Sequence, residues 1–169
     1  MTIKIPKISI TSAYEAEYRL LNEPEKYEYL LSIGAPVPSD PPPDGFEEFT
    51  GEKIRIEFDD VSYPTQAVLN AGYVPPTLDD AKKIIKFTKD IDHPILIHCA
   101  AGISRSSASA LILIAQKFGP GKEDESIHYL ITLEDKDPEI FPNELLVSHA
   151  DYLLERDGDL IMAYKKVFF

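Results

Sequence analysis

Apolar and polar positions alternate along "TIKIPKISI", which predicts a first strand over residues 2–10. A helical pattern follows from Thr11 in "TSAYEAEYRLL", with Ser12 and Glu15 spaced as a capping box. "KYEYLLSIG" is ambiguous between the two periods, and we read it as a strand ending at Gly34. "APVPSDPPPDGF" is excluded from regular structure because proline fixes φ and lacks an N–H, so it reads as a long surface loop. Alternation returns in "KIRIEFDD", a strand expected to end in Asp59 and Asp60, and a second loop, "VSYPTQAVLNAGYVPP", follows it. Thr77 and Asp80 then start a helix, "LDDAKKIIKFTKDI", with Ala81, Ile84, Ile85 and Thr88 on its inner face. "HPILIHC" is a short continuous apolar run, the mark of a strand buried on both sides. "SRSSASALILIAQKFG" is apolar nearly all round beyond its first turn, so it predicts a central helix, stopped by Gly119, Pro120 and Gly121. Further helices are predicted over residues 122–134, 143–156 and 158–167.

Strands and helices mix first, and only helices follow, which predicts an α/β fold with an at least partly parallel sheet covered on both faces. The 169 residues suit one domain spanning 1–169. The longest apolar run, "ALILIA", is far short of the roughly 18 to 20 residues of a membrane span. The first residues lack the pattern of a signal peptide. A single cysteine allows no internal disulfide, and together these features predict a cytoplasmic protein. The net charge of −12 argues against nucleic-acid binding and against broad docking on anionic membranes, since both need clustered Lys and Arg. Only four arginines are present, so an acidic chain that handles anions must concentrate positive potential at one spot.

"HCAAGISRSS", residues 98–107, holds that only cysteine where a buried strand passes into a buried helix. Ligands of open α/β sheets bind at the carboxyl ends of strands. A loop entering a helix presents amides with no partner of their own, and curled into a nest they hold an anion, aided by the helix dipole. Ala100, Ala101, Gly102, Ile103 and Ser104 have side chains small or apolar enough to let the backbone do this. The same amides stabilise a thiolate at Cys99. Arg105 offers a planar fork for two oxygens of a phosphate, and Ser106 a hydroxyl for the sulfur when it departs. A thiolate, a phosphate cradle and a fork together make a site for attack on phosphorus.

These residues resemble the H-C-x-x-G-x-x-R-S/T signature of the cysteine-dependent protein tyrosine phosphatases, filled by His98, Cys99, Gly102, Arg105 and Ser106. The compact dual-specificity branch and its small bacterial relatives are the most similar. "FDDVS" resembles the family's general-acid loop, and "FPNELLVSHADYLL" its C-terminal helix with the preceding P-N, so the likeness covers roughly residues 50 to 155. The resemblance implies a phosphatase-type fold, with a small mostly parallel central sheet flanked by helices and an active-site loop between a strand and the central helix. It implies metal-independent phosphomonoester hydrolysis through a phosphocysteine on Cys99, without a cofactor. Arg105 and the amides of residues 100 to 105 would hold the equatorial oxygens, and an aspartate would protonate the leaving group. Asp60 aligns best for that role and Asp59 is the alternate, with strand alternation placing the two on opposite faces. His98 is read as a hydrogen-bonding support of the loop. Asn143 is read as a helix N-cap that by resemblance also braces the loop.

The expected substrate is a phosphorylated protein or peptide, phosphotyrosine first, with phosphoserine and phosphothreonine left open and the oligomeric state unspecified. Three other functions compete. A phosphate-binding module with weak or no catalysis would be expected to lack the cysteine, arginine or acid. An inositol-phosphate or lipid phosphatase is disfavoured by the absence of lysine among residues 100–104. A sulfurtransferase of the rhodanese type would not need the upstream aspartate. His93, His128 and His149 have no metal-ligand spacing, and Lys82, Lys83, Lys86 and Lys89 read as a solvated helix face.

Overall fold

A computed structural model describes residues 2–169. Strand β1 spans Ile8–Thr11, β2 Tyr29–Gly34, β3 Glu52–Glu57 and β4 Ile95–His98. They form one sheet in the order β1-β4-β2-β3, every pair parallel. Helix α1 spans Ala13–Asn22, α2 Gln66–Asn70, α3 Leu78–Thr88 and α4 Arg105–Phe118, and α5 Glu123–Thr132, α6 Glu144–Leu153 and α7 Asp159–Phe168 complete the chain.

Side-chain alternation divides the sheet's two faces. Ile8, Ile10, Leu31, Ile33, Ile95 and Ile97 enter the main core with α3–α7. Leu30 and Leu96 enter a smaller one, with Ala16 and Leu20 of α1 and with Phe46 and Phe49 of the loop after β2. That proline-rich segment therefore roofs the second face of the sheet. Helix α4 runs through the main core, and all of Arg105–Ala115 is buried, the apolar stretch beyond its first turn as expected and the polar first turn with it.

Two expected strand boundaries move, and one expected loop gains a helix. The first strand begins at Ile8 rather than Thr2, because Pro6 has no N–H to give the ladder, which opens instead with Ile95 N–H donating to Lys7 O at 3.0 Å. Strand β3 ends at Glu57, before the aspartates. After Phe58 donates to Gly34 O (2.9 Å), Asp59 turns away to pair with Val74, its N–H on Val74 O at 2.7 Å. The second loop contains α2, started by Thr65, whose side chain accepts from Val68 N. The Ser12 cap is one-sided: it accepts from Glu15 N, while the Glu15 carboxylate accepts from Arg19. At α3 both halves of the Thr77–Asp80 capping box form. Among the described residues, no helix is long and apolar enough to cross a membrane, and no three His, Cys, Asp or Glu side chains group as metal ligands.

Candidate active site

Residues 99–104 form the turn from β4 into α4, at the carboxyl edge of the sheet. Gly102 takes a left-handed φ of +75°, and a Cβ there would come within 2.5 Å of the Thr11 carbonyl carbon. Only glycine permits this close seat of the loop against the β1–α1 junction. Ala13 N–H fixes the same seat by donating to Ala100 O at 3.1 Å. From the other side, Phe141 N–H donates to Ile103 O and Asn143 N–H to Ser104 O, both at 3.0 Å.

The carbonyls of Ala100, Ile103 and Ser104 are thus tied to neighbouring segments. Gly102 N–H points at Cys99 Sγ from 3.3 Å. Among the described residues, none accepts a hydrogen bond from the amides of Ala100, Ala101, Ile103, Ser104 or Arg105. Cys99 is buried and free, and its sulfur lies 3.1 Å from Ser106 Oγ. Arg105 is 7% exposed; its Nη1 donates to Phe58 O at 2.8 Å, while its Nε is buried with no partner. A buried guanidinium donor without an acceptor, beside a run of unpartnered amides, makes a cradle chemically suited to an anion.

The two aspartates separate, but not by strand alternation, since both lie beyond β3. Asp59 Oδ2 accepts from Val74 N at 2.7 Å and so braces the loop 61–76. Asp60 is exposed and turns toward the cradle. Its Oδ1 accepts from Ser104 Oγ at 2.7 Å and from Asn143 Nδ2 at 2.8 Å. Asn143 also caps α6, its Oδ1 accepting from Leu146 N at 2.9 Å. One buried side chain thus joins the Asp59–Asp60 segment, through it the 99–104 loop, and a helix terminus. Two contacts to Glu144 flank it: Ser62 Oγ accepts from Glu144 N, and the Tyr63 hydroxyl donates to the Glu144 carboxylate.

His98 is fully buried. Burial pushes its imidazolium down to about 4 against the Cys99 carbonyl hydrogen bond that favours it; Arg55 also lowers it, Asp40 opposes, and Arg105 lowers it slightly. The ring is therefore neutral near pH 7. Its Nδ1 lies 3.2 Å from Cys99 O and its Nε2 2.7 Å from Ser32 Oγ. Ser32 and Arg55 had no place in the sequence reading; only strand register brings them to His98. His149 bonds Pro76 O at 3.0 Å, and His93 pairs with Asp92 at the surface, both away from the loop. Lys83 pairs with Asp79 on the exposed face of α3.

Solved structures share this fold. The phosphatase domain of Yvh1 from Chaetomium thermophilum superposes with a TM-score of 0.59, at 16% identity over 92% of this chain and 95% of that one. The fold is that of the dual-specificity-like cysteine phosphatases. PTPMT1 in complex with PI(5)P matches at 0.56 and 16% identity, over 87% of this chain and 90% of that one. A human tyrosine phosphatase-like serine/threonine/tyrosine-interacting protein matches at 0.55 and 18%, over 88% and 91%. No family model and no curated protein matches the chain.

Proposed function

We propose that the chain is a metal-independent phosphomonoester hydrolase that works through a phosphocysteine on Cys99, with phosphotyrosine in proteins as its preferred substrate. The observation that carries this is the cradle: a buried thiol under an amide and a hydroxyl, ringed by unpartnered loop amides and an unpartnered Arg105 Nε. The Cys99 thiolate attacks phosphorus as the ester P–O bond breaks, and Asp60 gives its proton to the leaving oxygen. The Asp60 Oδ2 is the oxygen for that proton, because Oδ1 is already held by Ser104 and Asn143. Water then attacks the phosphocysteine, Asp60 takes a proton from it, and sulfur leaves as a thiolate stabilised by the Ser106 hydroxyl and the Gly102 amide. Arg105 and the loop amides hold the equatorial oxygens throughout. The lone free cysteine suits a reducing compartment such as the cytoplasm.

A second reading, hydrolysis of an inositol lipid, draws on the likeness to PTPMT1 in complex with PI(5)P. The absence of lysine at residues 100–104 weighs against it. A non-catalytic phosphate reader draws on the likeness to the phosphatase-like interacting protein. The presence of Cys99, Arg105 and Asp60 together weighs against that. Phosphate release in EDTA from a phosphotyrosine peptide, a phosphoserine peptide and PI(5)P vesicles separates the three. Release fastest from the phosphotyrosine peptide, lost in Cys99→Ser, is the expected result. Release from the vesicles alone makes the lipid reading correct, and binding without release makes the chain a reader.

A further inference from the structure

Ser32 stands in register between His98 on β4 and Arg55 on β3, and Thr11 on β1 extends the row. These residues share the face of the sheet that carries Leu30 and Leu96, two positions earlier, and so lie under the roof of α1 and the proline-rich segment. Three of them form a chain of hydrogen bonds to the nucleophile's own backbone. Arg55 Nη1 donates to Ser32 Oγ at 2.9 Å, Ser32 Oγ lies 2.7 Å from His98 Nε2, and His98 Nδ1 lies 3.2 Å from Cys99 O.

The donors can be assigned by chemistry. A carbonyl only accepts, so His98 Nδ1 carries the hydrogen that meets Cys99 O. The buried ring is neutral, so Nε2 is bare and needs a donor, which is the single hydroxyl proton of Ser32. A guanidinium only donates, so Arg55 fills a lone pair of Ser32 Oγ and turns that proton toward His98. Arg55 itself is set by two features. A Cβ on Gly34 would overlap its guanidinium, so glycine at the end of β2 makes the space it occupies. Its Nη2 donates to Asp40 O at 2.6 Å, and the Asp40 carboxylate accepts from Ala35 N at 2.7 Å. The segment 35–40 is thereby folded over the guanidinium.

We propose that Arg55 is a positioning residue, which through Ser32 and His98 fixes the Cys99 carbonyl and the thiol above it, and through Asp40 ties the proline-rich segment to the same row. The catalytic part of this rests on Cys99 being the nucleophile; the tautomer part does not. The charged groups facing His98 are Arg55 from β3, Asp40 from the loop after β2 and Arg105 from α4. Without Arg55 the Ser32 hydroxyl is free to accept from Nε2–H instead, which leaves a bare Nδ1 facing the carbonyl and loosens the loop at the nucleophile.

Long-range 1H–15N NMR of the His98 ring in the full chain reads the tautomer without any substrate. Wild type is expected to be Nδ1–H alone. Arg55→Met is expected to average between tautomers and to lower kcat on a phosphotyrosine peptide roughly tenfold, with KM nearly unchanged. Ser32→Ala removes the acceptor that an Nε2–H would need and is expected to keep the Nδ1–H form. Arg55→Lys keeps a donor to Ser32 and is expected to recover the Nδ1–H form. Gly34→Ala displaces the guanidinium without deleting a polar group, and it covers the case in which Arg55→Met fails to fold. An Nε2–H ring in wild type overturns the proposal. So does an unchanged tautomer and kcat in folded Arg55→Met or Gly34→Ala. Wild type with the Nδ1–H ring but no turnover defeats the phosphatase reading and, with it, the catalytic half of this one.

Discussion

Asp59 and Asp60 are adjacent and chemically identical, yet they face different partners. Asp59 is occupied with Val74 and so belongs to the loop 61–76, whereas Asp60 meets Ser104 and Asn143 at the cradle. Asp60→Asn is therefore expected to lower kcat on a phosphotyrosine peptide by about 10²- to 10⁴-fold, the range of a lost general acid. The loss on para-nitrophenyl phosphate should be smaller, because that phenol departs without help. Asp59→Ala frees Val74 without touching the cradle and should change kcat on both substrates by no more than a few-fold; steady-state kinetics on the pair of substrates reads both variants. The cradle residues were legible in sequence because amides, thiol and guanidinium are contiguous there. Asn143 was legible only in part. Its helix cap is local, but its hydrogen bond to Asp60 crosses 83 positions, a distance that no spacing rule covers.

At the scale of elements, the loop's shape depends on a glycine backed against another element. Gly102 combines a left-handed φ with contact at the Thr11–Ser12 backbone, which cannot yield as a side-chain tip would. Gly102→Ala must shift the loop, the β1–α1 junction or both. We expect turnover to fall by at least tenfold, with a stability loss of about 1–3 kcal/mol, read by denaturant unfolding beside steady-state kinetics. An active and equally stable variant would mean that the loop is not held in this conformation. The helices were read well because caps and apolar periods are local: Thr77 with Asp80, Gly119 after α4, Asn143 before α6. The strands were read less well at their ends. Where β1 begins and β3 stops is decided by pairing partners, Lys7 with Ile95 and Asp59 with Val74, which are not neighbours in the sequence. Helix α2 was missed because its five residues carry no full apolar period.

For the whole molecule, a neutral buried histidine ties stability to pH. An unfolded His98 takes up a proton near 6.5, while the folded one resists until about 4. Protonation therefore favours unfolding in that window: the contribution is complete above pH 6.5 and is lost as pH falls toward 4. At 1.36 kcal/mol per unit this amounts to about 3 kcal/mol, since the ring is only 1% exposed. Urea unfolding from pH 7 to 4 should show this slope, and His98→Asn should flatten it; a wild-type curve already flat there would mean the ring is not buried neutral. The α/β order and the two covered faces of the sheet were legible in the order of elements. The row Thr11–His98–Ser32–Arg55 was not, because register joins four segments that share no local pattern. The central claim, covalent catalysis by Cys99, is tested most directly by trapping the intermediate. Asp60→Asn mixed with para-nitrophenyl phosphate, whose phenol departs without an acid while hydrolysis of the intermediate still needs the base, should give after a quench within the first turnover and digestion a peptide containing phosphorylated Cys99. Nitrophenol released to the same extent, with no phosphate on Cys99 at any quench time, would contradict the account.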